Sequence, residues 1–329
     1  MKLDQESYEE HFSGFILTDC VVRSKEIFYY VLENIVEDYR TEAITRIVVS
    51  VNMPEIDPWD HVALTSMHRL TAGVSRHPKE QFIGVSMNDH VYVMGAGEDD
   101  FEDDLKGSES SQLKLANASA DQFLLRGGIS RLRTIDGRLY GCGLGRTVIE
   151  RVERNEWRYH TDLPTSKHFL DPFGFKDLDG FSTNDIYAVG GKGDVWYFDG
   201  NIWKQIPFPS NMDLHSVCCG EDGFVYIGAE SGNVFKGRGN KWSMIAESNL
   251  SLPFRDMVWH QDTLWCTSDY GLWTIKNNHL IPASVPAGIK ICSGNLSVGD
   301  GVMLLAGERG AAVHDGNEWK RIIDYNELR

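Results

Sequence analysis

"YFDGNIWKQI", residues Tyr197–Ile206, returns almost unchanged as "VHDGNEWKRI", residues Val313–Ile322. Asp-Gly-Asn between two apolar runs is unsuited to a helix interior, because Gly weakens helices and Asp and Asn favour turns. Asp-Gly and Gly-Asn instead supply the positive φ of a tight hairpin turn. The Trp and Ile beyond the turn alternate with polar residues, as in a half-buried strand. Each copy reads as a β-hairpin.

The copies belong to a longer period. A glycine recurs every 39 residues, at Gly193, Gly232, Gly271 and Gly310. Each follows a short apolar run ("IYAVG", "VYIGA", "LWCTS", "MLLAG") and precedes a second run, a turn and then Trp203, Trp242, Leu280 or Trp319. One unit is therefore three or four short strands. "DGRLYGCGLGRTVIERVERNEWRYH" (136–160) follows the same grammar more loosely, with Trp157 matching the later tryptophans, and "NDHVYVMGAG" (88–97) reads as the middle of another unit. Upstream, "GFILTDCVV" (14–22) and "ITRIVVSV" (44–51) are β-rich, whereas "FYYVLENIVEDY" (28–39) also fits a helix.

Four-stranded units of about 40 to 50 residues are the signature of propeller blades, which close into a ring and leave no long free edge. At about 45 residues per unit, the 329 residues make seven blades, with six also compatible with the length. Val195–Phe198 are four consecutive apolar residues, so both faces of that strand must be covered, as in a blade packed between two others. The expected fold is an all-β propeller of four-stranded antiparallel blades. It forms a single domain over 1–329, with clear repeats over 129–323 and divergent blades over 1–128.

The stretch "DIYAVGGKGDVWYFDGNIWKQI" (185–206) resembles the units of bacterial propellers loosely grouped as WD-repeat-like, YVTN-like or sialidase-repeat-like. The resemblance covers residues 129–323. It includes neither a Trp-Asp dipeptide at strand ends nor the sialidase S-x-D-x-G-x-x-W box, which "STNDIYAVGG" matches only in part. The resemblance implies the fold and leaves the chemistry open, since propellers host enzymes and passive scaffolds alike.

With 32 Lys and Arg against 48 Asp and Glu, the net charge is −16. That disfavours nucleic acid and anionic membrane, both of which need a basic footprint, and favours a basic protein partner. The start "MKLDQESYEEHFSGF" is acidic and polar where a secretory signal would be basic and then apolar, so the expected compartment is the cytoplasm. Cys20, Cys142, Cys218, Cys219, Cys266 and Cys292 lie mostly in apolar strand contexts without CxxC spacing and read as reduced core residues. There is no phosphate loop opening a helix, no HExxH and no GxSxG. No cofactor or metal site is expected. A sialidase-like site would need three arginines converging on a substrate carboxylate, and spacing alone does not place Arg131, Arg133, Arg255 or Arg309 together.

Two insertions mark a candidate binding face. The first is acidic, with Glu98, Asp99, Asp100, Glu102, Asp103 and Asp104 around Phe101. Taking "HVYVMG" as the second strand of its blade puts this run in the loop from second to third strand. The second insertion, "TSKHFLDPFGFKD" (165–177), carries Phe169 and Phe173 and reads as a crossover between blades. Both placements fall on one face of the ring. Lys192, Glu230, Asp269, Tyr270, Glu308 and Arg309, on the short turns of later blades, would complete it. Loops on a rigid scaffold are where binding concentrates, with aromatic anchors and carboxylates that steer encounter.

The function this favours is a non-catalytic, cofactor-free propeller, monomeric by itself, that engages a basic protein through its loop-rich face. An inhibitor or immunity protein for a toxin, or an assembly factor, would have this form. The alternatives are a pore-centred hydrolase or lyase acting on a sugar or small ester, and a structural subunit of a larger assembly.

Overall fold

A strand that is apolar on both sides must be sandwiched, and the molecule is built from that requirement. The computed structural model describes residues 2–35, 44–65, 67–105, 127–164 and 174–328. Its strands, numbered β1–β28 in chain order, form seven four-stranded antiparallel sheets, each made of four consecutive strands. The seven blades span residues 15–65, 71–102, 129–159, 175–205, 214–246, 256–282 and 295–324. The innermost strands are β1 (Phe15–Ser24), β5 (Thr71–Ser75), β9 (Ile129–Ile135), β13 (Phe175–Ser182), β17 (Leu214–Cys219), β21 (Asp256–His260) and β25 (Asn295–Gly299). Each touches the next, and β25 returns to β1, so the ring is closed. We call upper the face that carries the turns from second to third strand and the crossovers between blades.

The hydrophobic core is divided into seven clusters, one at each seam between blades. Blade 1 shows how a divergent sequence meets this demand. "FYYVLEN" lies in strand β2 (Ile27–Asn34), and the alternative helix is not formed. Phe28, Tyr30 and Leu32 point into the seam with blade 7, beside Leu304 and Ile323. Tyr29 and Val31 point into the seam with blade 2, beside Ala72 and Phe82. An uninterrupted apolar run is therefore a strand read from both sides.

The 39-residue glycine has a steric cause. Gly193 adopts φ +70° and Gly310 φ +139°, and a Cβ would lie 2.0 Å from the Ser210 carbonyl oxygen at the first and 2.2 Å from that of Ile323 at the second. No larger residue fits without moving backbone.

The acidic run is placed differently from the expectation. "VYVMG" is strand β7 (Val91–Gly95), the third of its blade, and Glu98–Glu102 form β8, the fourth. The blade begins earlier, with "TAGVS" and "QFIGV" as its first two strands. Alternating charges are compatible with a strand here because β8 is the rim, where side chains meet solvent and the outer hairpin of blade 3 rather than a core.

Because each blade is complete in itself, no exchanged strand bolts blade 7 to blade 1. The segment ahead of β1 does so instead. Helix α1 (Gln5–His11) is capped by Asp4, whose side chain accepts from the Ser7 amide at 2.8 Å. Leu3 donates its amide to the Ile322 carbonyl of blade 7 at 2.8 Å. Phe12, 1% exposed, meets Trp59 edge-on at 5.5 Å in blade 1 and Tyr325 at 6.2 Å just past blade 7. Phe12→Ala should cost about 3–5 kcal/mol, read as a lowered urea midpoint with unchanged secondary structure in the folded baseline.

One seam is pH-sensitive. His260 in blade 6 and His314 in blade 7 share a hydrogen bond of 2.9 Å between Nε2 and Nδ1, which requires one of the two nitrogens to be unprotonated. Burial first, then the neighbouring His314, hold the His260 pKa down to about 4 from 6.5. A histidine with a depressed pKa stabilises the fold above its unfolded value, and that stability is lost as pH falls from 6.5 towards 4. The full effect is of order 3 kcal/mol. Urea denaturation between pH 7.5 and 4.5 should show this loss, and His260→Gln should remove most of it; an equally steep profile for the variant would place its origin elsewhere.

A candidate protein-binding face above an arginine-filled channel

The upper face is assembled from the tight turns between second and third strands. Lys192 and Glu230 sit in single 3-10 turns of blades 4 and 5, at 191–193 and 230–232. Asp213 anchors both, its side chain accepting from the Lys192 amide and its carbonyl from that of Glu230, each at 2.9 Å. Asp269 and Tyr270 form the corresponding turn of blade 6, and Glu308 and Arg309 that of blade 7. Tyr270 is 85% exposed. The structure thus brings these six residues to one face. It adds three apolar residues that sequence reading missed: Ile35, Met87 and Leu144, exposed on the equivalent turns of blades 1, 2 and 3. Single apolar letters inside polar turns ("SMNDH", "GLGR") were the available signal.

Of the acidic residues, Glu98–Glu102 lie on the rim strand instead, and only Asp103 and Asp104 fall beyond it, at the start of the crossover. Glu98 pairs with Lys79 and accepts from Gln81 at 2.8 Å, and Asp99 accepts from the Tyr92 hydroxyl. Asp100 lies 3.5 Å from Arg154, and Asp104 2.7 Å from His90. Glu102 is buried and takes both Nη atoms of Arg151 at 2.6 Å, with the Asn155 amide at 3.2 Å. The Asp103 amide donates to Asn155 Oδ1 at 2.8 Å, while Phe101 packs edge-on against Tyr92 and stays half-exposed. The run therefore docks blade 2 onto the "RVERNEW" hairpin of blade 3, whose arginines supply the opposite sign. Phe169 and Phe173 lie outside the described residues. Glu102→Ala strands a buried guanidinium and should cost about 3–5 kcal/mol, whereas Asp103→Ser, on an exposed residue, should cost under about 0.5; paired thermal melts decide this.

Beneath the face, the innermost strands are tied by carboxylates. Asp19 accepts from the Ala72 amide at 3.0 Å, Asp177 from Val217 at 3.1 Å, Asp179 from Cys219 at 2.7 Å and Asp256 from Leu296 at 3.1 Å. Each bond reaches from one blade to the next. Arg133 then crosses the channel from blade 3, bidentate to Asp177 at 3.0 and 2.9 Å and bonded to Asp256 at 2.9 Å. Arg131 reaches Asp256 at 3.0 Å and the Arg255 carbonyl at 2.9 Å. Of the arginines that spacing could not place, Arg131 and Arg133 do converge, but on carboxylates of this same chain. Burial raises Asp179 to about 6 against the pull of the Cys219 amide and Arg133. Burial also raises the six cysteine thiols. All six are unpaired, and five of them are fully buried, as core residues should be. Among the described residues no three His, Cys, Asp or Glu side chains gather as a metal set, and no helix is long and apolar enough to cross a membrane.

No family model matches the chain. Immune protein Tsi7 of Pseudomonas aeruginosa is 29% identical to it over 266 residues, covering 80% of each protein. Among solved structures, the RRP9 WD40 repeats superpose with a TM-score of 0.60 at 15% identity, over 94% of this chain and 91% of that one. The WD40 β-propeller domain of Doa1 gives 0.57 at 13% identity over 90% and 95%. YCF48 bound to D1 peptide gives 0.50 at 11% over 84% and 87%. Identities this low establish architecture alone. The chain is a seven-bladed β-propeller whose fold is like that of WD40 propellers, and it is similar in sequence to a bacterial immune protein.

Proposed function

We propose that this propeller is an immunity protein that neutralises a toxin by binding it, without chemistry of its own. The observation that carries the reading is the 29% identity to Immune protein Tsi7 across four-fifths of both chains, which spans nearly the whole ring rather than one blade. The upper face supplies the contact surface. Exposed Tyr270, Met87 and Leu144 are anchors of the kind that concentrate binding energy, held on turns that a rigid scaffold fixes in advance. The net charge of −16 favours a basic toxin met in the cytoplasm, because the long-range field accelerates encounter with a cation-rich surface.

Affinity capture with the tagged chain from its native host should recover one stoichiometric protein. Expressed alone in a heterologous bacterium, that protein should arrest growth, and co-expression of this chain should restore it. Tyr270→Ala combined with Leu144→Asp should weaken the purified pair at least tenfold, on the order of 1.4 kcal/mol or more. Association should slow as salt is raised from about 50 to about 500 mM. A captured protein harmless to growth would overturn the immunity reading, and a salt-indifferent association rate would remove the basic partner.

A further inference from the structure

The upper mouth of the channel is rich in cations although the molecule as a whole is acidic. Three adjoining depressions of about 530, 480 and 350 Å³ meet at Arg255, which lines them all. They present Arg69, Arg131, Lys176, Arg255, Lys290 and Arg309. The carboxylates facing them are fewer, and three are engaged. Asp19 accepts from the Ala72 and Cys20 amides, Glu33 accepts from the Arg69 amide at 2.7 Å, and Asp269 binds Arg255 at 3.0 Å. Glu308 is the fourth. By contrast, the side chains of Arg69, Lys176, Lys290 and Arg309 form no ion pair among the described residues. The opposite end of the channel carries Asp179, Glu221 and Asp300 together with Arg76 and Arg133.

The base of the mouth is rigid. Arg131 is fixed through Nη1 to Asp256 and Nη2 to the Arg255 carbonyl, and its Nε is buried with no hydrogen-bond acceptor. Arg255 is held by Asp269 and by the Thr18 carbonyl at 3.3 Å. Guanidinium groups fixed in advance suit planar anions such as carboxylates, because little side-chain entropy remains to be lost on binding.

We propose that this mouth receives a carboxylate-bearing segment, an acidic loop or chain end, of the partner protein. Arg69, Lys290 and Arg309 donate to it from the rim, Arg131 and Arg255 form the floor, and Met87 and Leu144 flank it. The proposal rests on the upper face being the binding face, and it gives a basic partner an acidic anchor at the centre of its contact.

The test uses the full chain and fluorescein-labelled hexaglutamate, hexaglutamine and hexalysine peptides, read by anisotropy at about 50 mM salt. Hexaglutamate should bind saturably despite the overall charge of −16, and hexaglutamine should not. R69E/R309E should weaken hexaglutamate binding at least tenfold, and K290E/R309E gives a second variant should the first melt early. K241E/K276E places the same charge change on exposed residues of blades 5 and 6 and should stay within twofold of wild type. No saturable hexaglutamate binding, a preference for hexalysine, or equal effects of the mouth and control variants would overturn the proposal. Growth protection is scored separately, so a chain that protects but ignores hexaglutamate loses the acidic anchor and keeps the immunity reading.

Discussion

Everything in this molecule follows from the need to cover both faces of each sheet. A single four-stranded sheet with two apolar faces cannot stand in water; flanked by two copies of itself it can, and the arrangement ends only when the last copy meets the first. Seven apolar seams result, and each is filled by side chains that alternate along a strand towards opposite neighbours, as Tyr29 and Tyr30 do. Closure removes long edges from the inside of the ring and moves the remaining ones to the rim, where β8 can afford a run of carboxylates.

Closure also forces seven innermost strands together, and the polar groups on the channel side must then find partners away from bulk water. The chain meets this with aspartates that accept backbone amides from the next blade and with two arginines that span the gap. Such a network holds charge in a low-dielectric wall, where it is strong only when complete. Arg131 and Arg133 are matched there by Asp177 and Asp256, and further cations, Arg255, Lys290 and Arg309, line the mouth above.

The last four blades were legible because their constraints are local. A turn needing positive φ recurs in each of them, and a closely packed glycine recurs at fixed spacing, against a carbonyl oxygen at Gly193 and Gly310 and against a side chain at Gly232 and Gly271. Blade 1 was harder, since Phe28–Leu32 carries no alternation to separate a doubly buried strand from a helix. Glu98–Asp104 misled because charge was taken as a sign of a loop, and what makes the run a strand is the arginine pair Arg151 and Arg154, about fifty residues later. The upper-face turns were placed correctly by counting strands. The meeting of Arg131 with Asp256 was not readable at all, because it depends on the curvature of the whole ring and not on any spacing within it.

The clasp at the start of the chain has a consequence for synthesis. Residues 3–12 are made some three hundred residues before their partners Ile322 and Tyr325. Contacts this distant in sequence form slowly, and until they form the outward face of β2 has no neighbour. A nascent or truncated chain would therefore carry Phe28, Tyr30 and Leu32 uncovered, as a mark of incompleteness open to chaperones and proteases. The same contact that closes the ring thus reports that the seventh blade has been made.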